Sequence, residues 1–114
     1  MKKTEWVITW TYPAAGSDDA VGVVGPRGAT LTARQIVMHP DAKRFRLFDD
    51  DGTLYYEGYL VGGDEFAPLD DFGEPNAGCT REQVLEDGEW KWLRTAEGGR
   101  KWRKRQATRG ASRV

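Results

Sequence analysis

Residues 43–61, Lys43-Arg44-Phe45-Arg46-Leu47-Phe48-Asp49-Asp50-Asp51-Gly52-Thr53-Leu54-Tyr55-Tyr56-Glu57-Gly58-Tyr59-Leu60-Val61, set two aromatic-rich runs on either side of a turn. Aspartates at the early turn positions satisfy local backbone donors, and the closing glycine tolerates positive φ, so Lys43 to Phe48 and Thr53 to Val61 are predicted to form a β-hairpin. On the amino-terminal side, Thr4 to Tyr12 alternates with period two. Trp6, Ile8, Trp10 and Tyr12 fall on one face of a strand, and Glu5, Val7, Thr9 and Thr11 on the other. Pro13 to Ala20 reads as a loop. Val21 to Val24 reads as a short extended segment cut off by Gly25-Pro26, because proline has no amide to give a ladder. Thr32 with Gln35 three residues on has the spacing of a capping box and opens a short helix from about Ala33 to His39, before Pro40.

On the carboxy-terminal side, Gly62 to Gly78 is long, acidic and rich in Gly and Pro. Its Phe66, Leu69 and Phe72 are expected to tuck it onto the body as an ordered loop. Cys79 to Leu85 and Glu89 to Leu93 flank Glu86-Asp87-Gly88 as a second hairpin, with Trp90 and Trp92 on one face. The expected fold is therefore α+β: an antiparallel sheet of four or five strands with one short helix in a single acidic domain over residues 1–97. After a Gly98-Gly99 hinge, a flexible basic carboxy-terminal tail is expected over 98–114.

At 114 residues the chain supports one compact domain. With a single Cys and a single His, an internal disulfide is impossible and zinc, haem and iron–sulfur ligation are unsupported, so no metal and no cofactor are expected. No apolar run reaches the roughly 20 residues of a membrane span, and Met1-Lys2-Lys3 leads into Thr4-Glu5 rather than a signal-peptide core. A cytoplasmic protein with no membrane partner is the expectation.

The near-neutral total charge conceals two opposed regions. Residues 1–97 hold all 18 acidic residues against 10 of the 17 basic ones, a net charge of −8; residues 98–114 hold the other seven basic residues and no acid. From Asp49 to Pro75 there are nine acids and no Lys or Arg. A polyanion is thus repelled by the body and attracted by the tail.

The run Phe45-Arg46-Leu47-Phe48-Asp49-Asp50-Asp51-Gly52 with Tyr55-Tyr56-Glu57-Gly58 resembles a pattern in small uncharacterised proteins of actinobacteria and their phages. So do Phe66, Pro68-Leu69-Asp70-Asp71-Phe72-Gly73 and Pro75-Asn76-Ala77-Gly78-Cys79-Thr80. The resemblance covers about residues 5 to 93, leaves the basic end outside, and implies a mobile-element setting without a mechanism, since that family carries no assigned activity.

Catalytic chemistry finds little support in the residue inventory. His39 is the only imidazole, and its place at a helix end favours a structural role. Cys79 reads as a small buried hydrophobe. Ser17 and Ser112 fall in loop or tail, and an enzyme reading reduces to His39 with Asp70 or Asp71. Asp49, Asp51 and Glu57 echo a calcium loop, but with Gly52 at the sixth position Leu47 stands where the first carboxylate belongs. No catalytic residue is therefore assigned. The leading expectation is a non-enzymatic accessory protein that contacts a host or phage protein through an acidic, aromatic-rich face of Asp49, Asp50, Asp51, Glu57, Asp70, Asp71 and Phe72, its carboxylates able to imitate nucleic-acid phosphates. The alternative is non-specific nucleic-acid contact through Arg100, Lys101, Arg103, Lys104 and Arg105 on phosphates, with Trp102 stacking on an unpaired base.

Overall fold

A computed structural model describes residues 4–93. The fold is α+β, built on an antiparallel sheet. Its strands are β1 (Glu5–Thr11), β2 (Val24–Gly25), β3 (Lys43–Phe48), β4 (Leu54–Val61), β5 (Arg81–Glu86) and β6 (Glu89–Trp92), in spatial order β2-β1-β4-β3-β5-β6. The sheet has six strands where four or five were expected: the short extended segment expected over Val21 to Val24 is instead an edge strand of Val24 and Gly25, which pair with Val7 and Trp6, so the strand runs up to Pro26 rather than ending before Gly25. The basic tail, with Arg100, Lys101, Trp102, Arg103, Lys104 and Arg105, lies outside the described residues.

The central hairpin forms where its turn chemistry puts it. Asp49 Oδ1 accepts the backbone N–H groups of Asp51 and Thr53, each at 2.9 Å, and Gly52 takes φ +83°. The second turn places both Asp87 (φ +53°) and Gly88 (φ +81°) in the left-handed region, as a two-residue hairpin loop requires. The capping box is present as well. Thr32 Oγ1 accepts from Gln35 N–H while Gln35 Oε1 accepts from Thr32 N–H, opening α1 (Ala33–Met38), one residue shorter than the spacing predicted.

Gly62 to Gly78 is ordered, but it is not all loop. Leu69–Gly73 forms a wide helical turn, with Glu74 N–H reaching back five residues to Leu69 C=O, and runs directly into α2 (Glu74–Ala77). Pro75 is tolerated there because the first turn of a helix has spare amides. Leu69 is fully buried, and Phe66 and Phe72 pack against the main core of Trp6, Ile8, Phe45, Leu47, Tyr56, Leu60, Leu69, Cys79 and Val84.

The second departure lies in β1. Ile8 pairs with Gly58 and Trp10 with Glu57, so Thr9 is an extra residue opposite no partner of its own. Such a bulge shifts the alternation by one residue. Trp6 and Ile8 point into the core, whereas Trp10 and Tyr12, predicted on the same face as them, stand on the opposite face. Val7, on that opposite face, is buried, as is Ile36 of α1; both lie outside the main core, and α1 packs on β1 and β4. The wide turn and α2 therefore cover one face of the sheet, and α1 covers only one end of the other. No helix among the described residues is long and apolar enough to cross a membrane.

Candidate functional site

The sheet face left open beside α1 carries a continuous row. The pairings Trp10↔Glu57, Glu57↔Arg46, Arg46↔Gln83 and Gln83↔Trp92 set five directly opposed residues across β1, β4, β3, β5 and β6. Opposed residues on antiparallel strands share a face, so the row runs from one tryptophan to another over four strand spacings, about 19 Å. Trp10 is 58% exposed and Trp92 38%, the two most exposed aromatic side chains among the described residues.

Three arginines lie among these rings. The Arg46 guanidinium carbon sits 4.0 Å from the centroid of the Trp90 ring, with that of Arg44 at 5.4 Å, and the Arg81 guanidinium carbon lies 4.1 Å over Trp92. Trp92 also packs against Phe48 at 4.8 Å between centroids. These stacks hold the tryptophans in place by cation–π attraction without removing the positive charge. One carboxylate organises the centre. Glu57 accepts from Arg44 Nη2, from Arg46 Nε at 3.3 Å and from the Tyr12 hydroxyl at 2.8 Å. Burial pushes the Glu57 carboxyl up, but the Tyr12 hydrogen bond and the two guanidiniums outweigh it and leave it below the ordinary glutamate value. The Tyr12 hydroxyl is correspondingly raised, by burial and then by the same hydrogen bond.

The residues expected to form the acidic contact face are not brought together. Glu57 lies on the open face, neutralised by arginines. Asp49 is engaged in its own turn, and Asp50 accepts from the Thr80 hydroxyl. Asp51 is exposed at that turn. Asp70 and Asp71 lie in the wide turn over the core face, where Asp71 accepts from the Trp6 indole N–H at 2.9 Å. Phe72 is half-buried and packs against the core, 5.5 Å from the Trp6 ring and 5.1 Å from Tyr56. Sequence reasoning missed Trp10, Tyr12, Arg44, Arg46 and Arg81 as a group. The alternation of Arg44 and Arg46 with Phe45 and Leu47, together with the shared face of Trp90 and Trp92, was the available signal.

His39 and Cys79 do not form a catalytic pair: no hydrogen bond joins them. His39 Nδ1 accepts the Asp41 backbone N–H at 3.0 Å just past α1, and Cys79 is buried in the main core. Burial, with a smaller contribution from the Asp49 charge, pushes the Cys79 thiol up to about 12. At about pH 8 the native chain is therefore expected to react with an aromatic disulfide reagent at least about a hundredfold more slowly than the chain in denaturant. Equal rates would show a thiol open to solvent. Among the described residues, no three of His, Cys, Asp and Glu are grouped so as to hold a metal ion. No family model, curated protein or solved structure matches the chain.

Proposed function

We propose that this chain is a non-enzymatic binding module, an accessory protein of mobile-element type, that engages a macromolecular partner through the open face of its sheet. The observation that carries this reading is the row from Trp10 through Glu57, Arg46 and Gln83 to Trp92. Large exposed rings such as Trp10 and Trp92, the latter stacked under Arg81, are the residues that dominate binding energy at recognition surfaces. The Trp92 ring is pre-positioned by Arg81 and Phe48, so little of its side-chain freedom is lost when a partner docks.

A second reading places a protein partner on the acidic side, at Asp50 and Asp51 of the hairpin turn and at Asp70 and Asp71. Its support is the −8 charge of residues 1–97 and the exposure of Asp51 and Asp71. One experiment separates the two. The full-length tagged chain, the Trp10→Ala/Trp92→Ala variant and the Asp50→Asn/Asp51→Asn/Asp70→Asn/Asp71→Asn variant are each used for capture from bacterial extract, with protein and nucleic acid both analysed. The sheet-face reading predicts that the tryptophan variant alone loses the captured material. Loss in the aspartate variant alone would move the contact to the acidic side.

A further inference from the structure

We infer that the open sheet face binds unpaired nucleic acid, with bases stacked on Trp10 and, at the other end of the row, on the Arg81 guanidinium that overlies Trp92, and phosphates met by Arg44 and Arg46. The inference rests on the docking-face reading above and names the ligand.

Charge complementarity selects a polyanion. Among the described residues the open part of the face holds Arg44, Arg46 and Arg81 with the carboxylate Glu57, while Glu5 on the same side is bonded to Thr30 and Leu31 at the end next to α1. The open part thus carries a local excess of two positive charges on a body whose total is −8. Arg81 makes no salt bridge among the described residues, and its guanidinium carbon sits 4.1 Å from the Trp92 centroid, so a cation stands at that end of the row. The covalent continuation of the chain strengthens the case. β6 is an edge strand, it carries Trp90 and Trp92, and Arg100 follows Trp92 by eight residues. Eight residues span at most about 27 Å, so Arg100, the first of the seven cations of residues 98–114, cannot lie farther than that from Trp92.

Ring geometry then selects an unpaired strand. In a duplex the base faces are already stacked on one another, and only phosphates are offered to a flat sheet. An unpaired strand offers π-faces to Trp10 and to the Arg81 guanidinium as well as phosphates to Arg44 and Arg46, and stacking of this kind tolerates any base. An acidic polypeptide would satisfy the arginines but leave Trp10 without a flat partner.

The test measures binding of the full-length chain to a fluorescent deoxythymidine oligonucleotide of about twelve nucleotides, to a duplex of equal length, and to poly-glutamate. The single strand is expected to bind at least about tenfold more tightly than either competitor, and Trp10→Ala/Trp92→Ala to lose at least about tenfold in affinity for it. Circular dichroism and each single variant check that the variant remains folded. Equal affinity for strand and duplex, equal affinity for poly-glutamate, or unchanged binding by the folded variant would overturn the assignment, the last by leaving the tail as the sole contact. If the oligonucleotide is not bound but capture from extract still depends on Trp10 and Trp92, the ligand assignment falls and the docking face stands. If capture is also independent of them, both fall.

Discussion

Gly58→Ala is expected to disrupt the sheet at its centre. A Cβ built on Gly58 would lie 2.0 Å from the Val7 carbonyl oxygen and 2.8 Å from Phe45 Cζ. The first contact is with backbone, so no rotamer change can relieve it; β1 must move away from β4. That separation breaks the ladder next to the Thr9 bulge, where Ile8 faces Gly58. Glycine in a strand interior ordinarily weakens it, and here the close approach of a neighbouring backbone is the reason it is required. The cost is about 3 kcal/mol or more, and the melting temperature should fall by about 15 °C or more. Thermal unfolding followed by circular dichroism checks this, and a change within about 3 °C would mean that β1 and β4 are not in this register.

The second large effect is expected at Glu57. Removing its carboxylate by Glu57→Ala leaves the Arg44 and Arg46 guanidiniums facing each other and the Tyr12 hydroxyl without its acceptor. Breaking a buried ion pair from one side is costly because the remaining charge stays desolvated. Both arginines are partly open to water, so the loss is set at about 2–3 kcal/mol rather than the full buried value, or roughly 10–20 °C in melting temperature. The pH dependence has a definite sign. The folded-state pKa is depressed, so the unfolded chain takes up the proton first as pH falls. The stabilisation is then fully present above the ordinary glutamate value of 4.5 and is lost as pH drops through the lower folded-state value. Acid unfolding of Glu57→Gln should lack that component, so its stability should fall less steeply below about pH 4 than that of the natural chain. Identical acid profiles would show that Glu57 is not the ionised centre of the cluster. Any such variant also disturbs the arginine positions, so its effect on ligand binding is read only after stability has been measured.

The two hairpins, the capping box and the aromatic character of the strands were legible along the chain, because turns and caps are local. Asp49 bonds groups two and four residues away, and Thr32 and Gln35 bond each other across three. Period-two alternation likewise put Trp6 and Ile8 on one face, and both point into the core. The helical turn at Leu69–Gly73 was hidden by its composition, since Gly, Pro and paired aspartates signal loop unless packing against Trp6 and Tyr56 overrides them. The dispersal of the acidic residues was hidden for a related reason. A list of charges does not show that Glu57 faces away from Asp71, nor that Arg44 and Arg46 neutralise it.

What stands without coordinates is the charge division, the absence of a thiol partner for Cys79 and the hairpin turns, each a matter of counting or of contacts a few residues long. The open face is different. Whether Trp10 joins Trp6 or turns to the opposite side depends on one unpaired residue, Thr9, and that bulge exists only because β1 lies against Gly58 some fifty positions away. Long-range strand pairing sets the register, and register decides which tryptophans fill the core and which meet solvent.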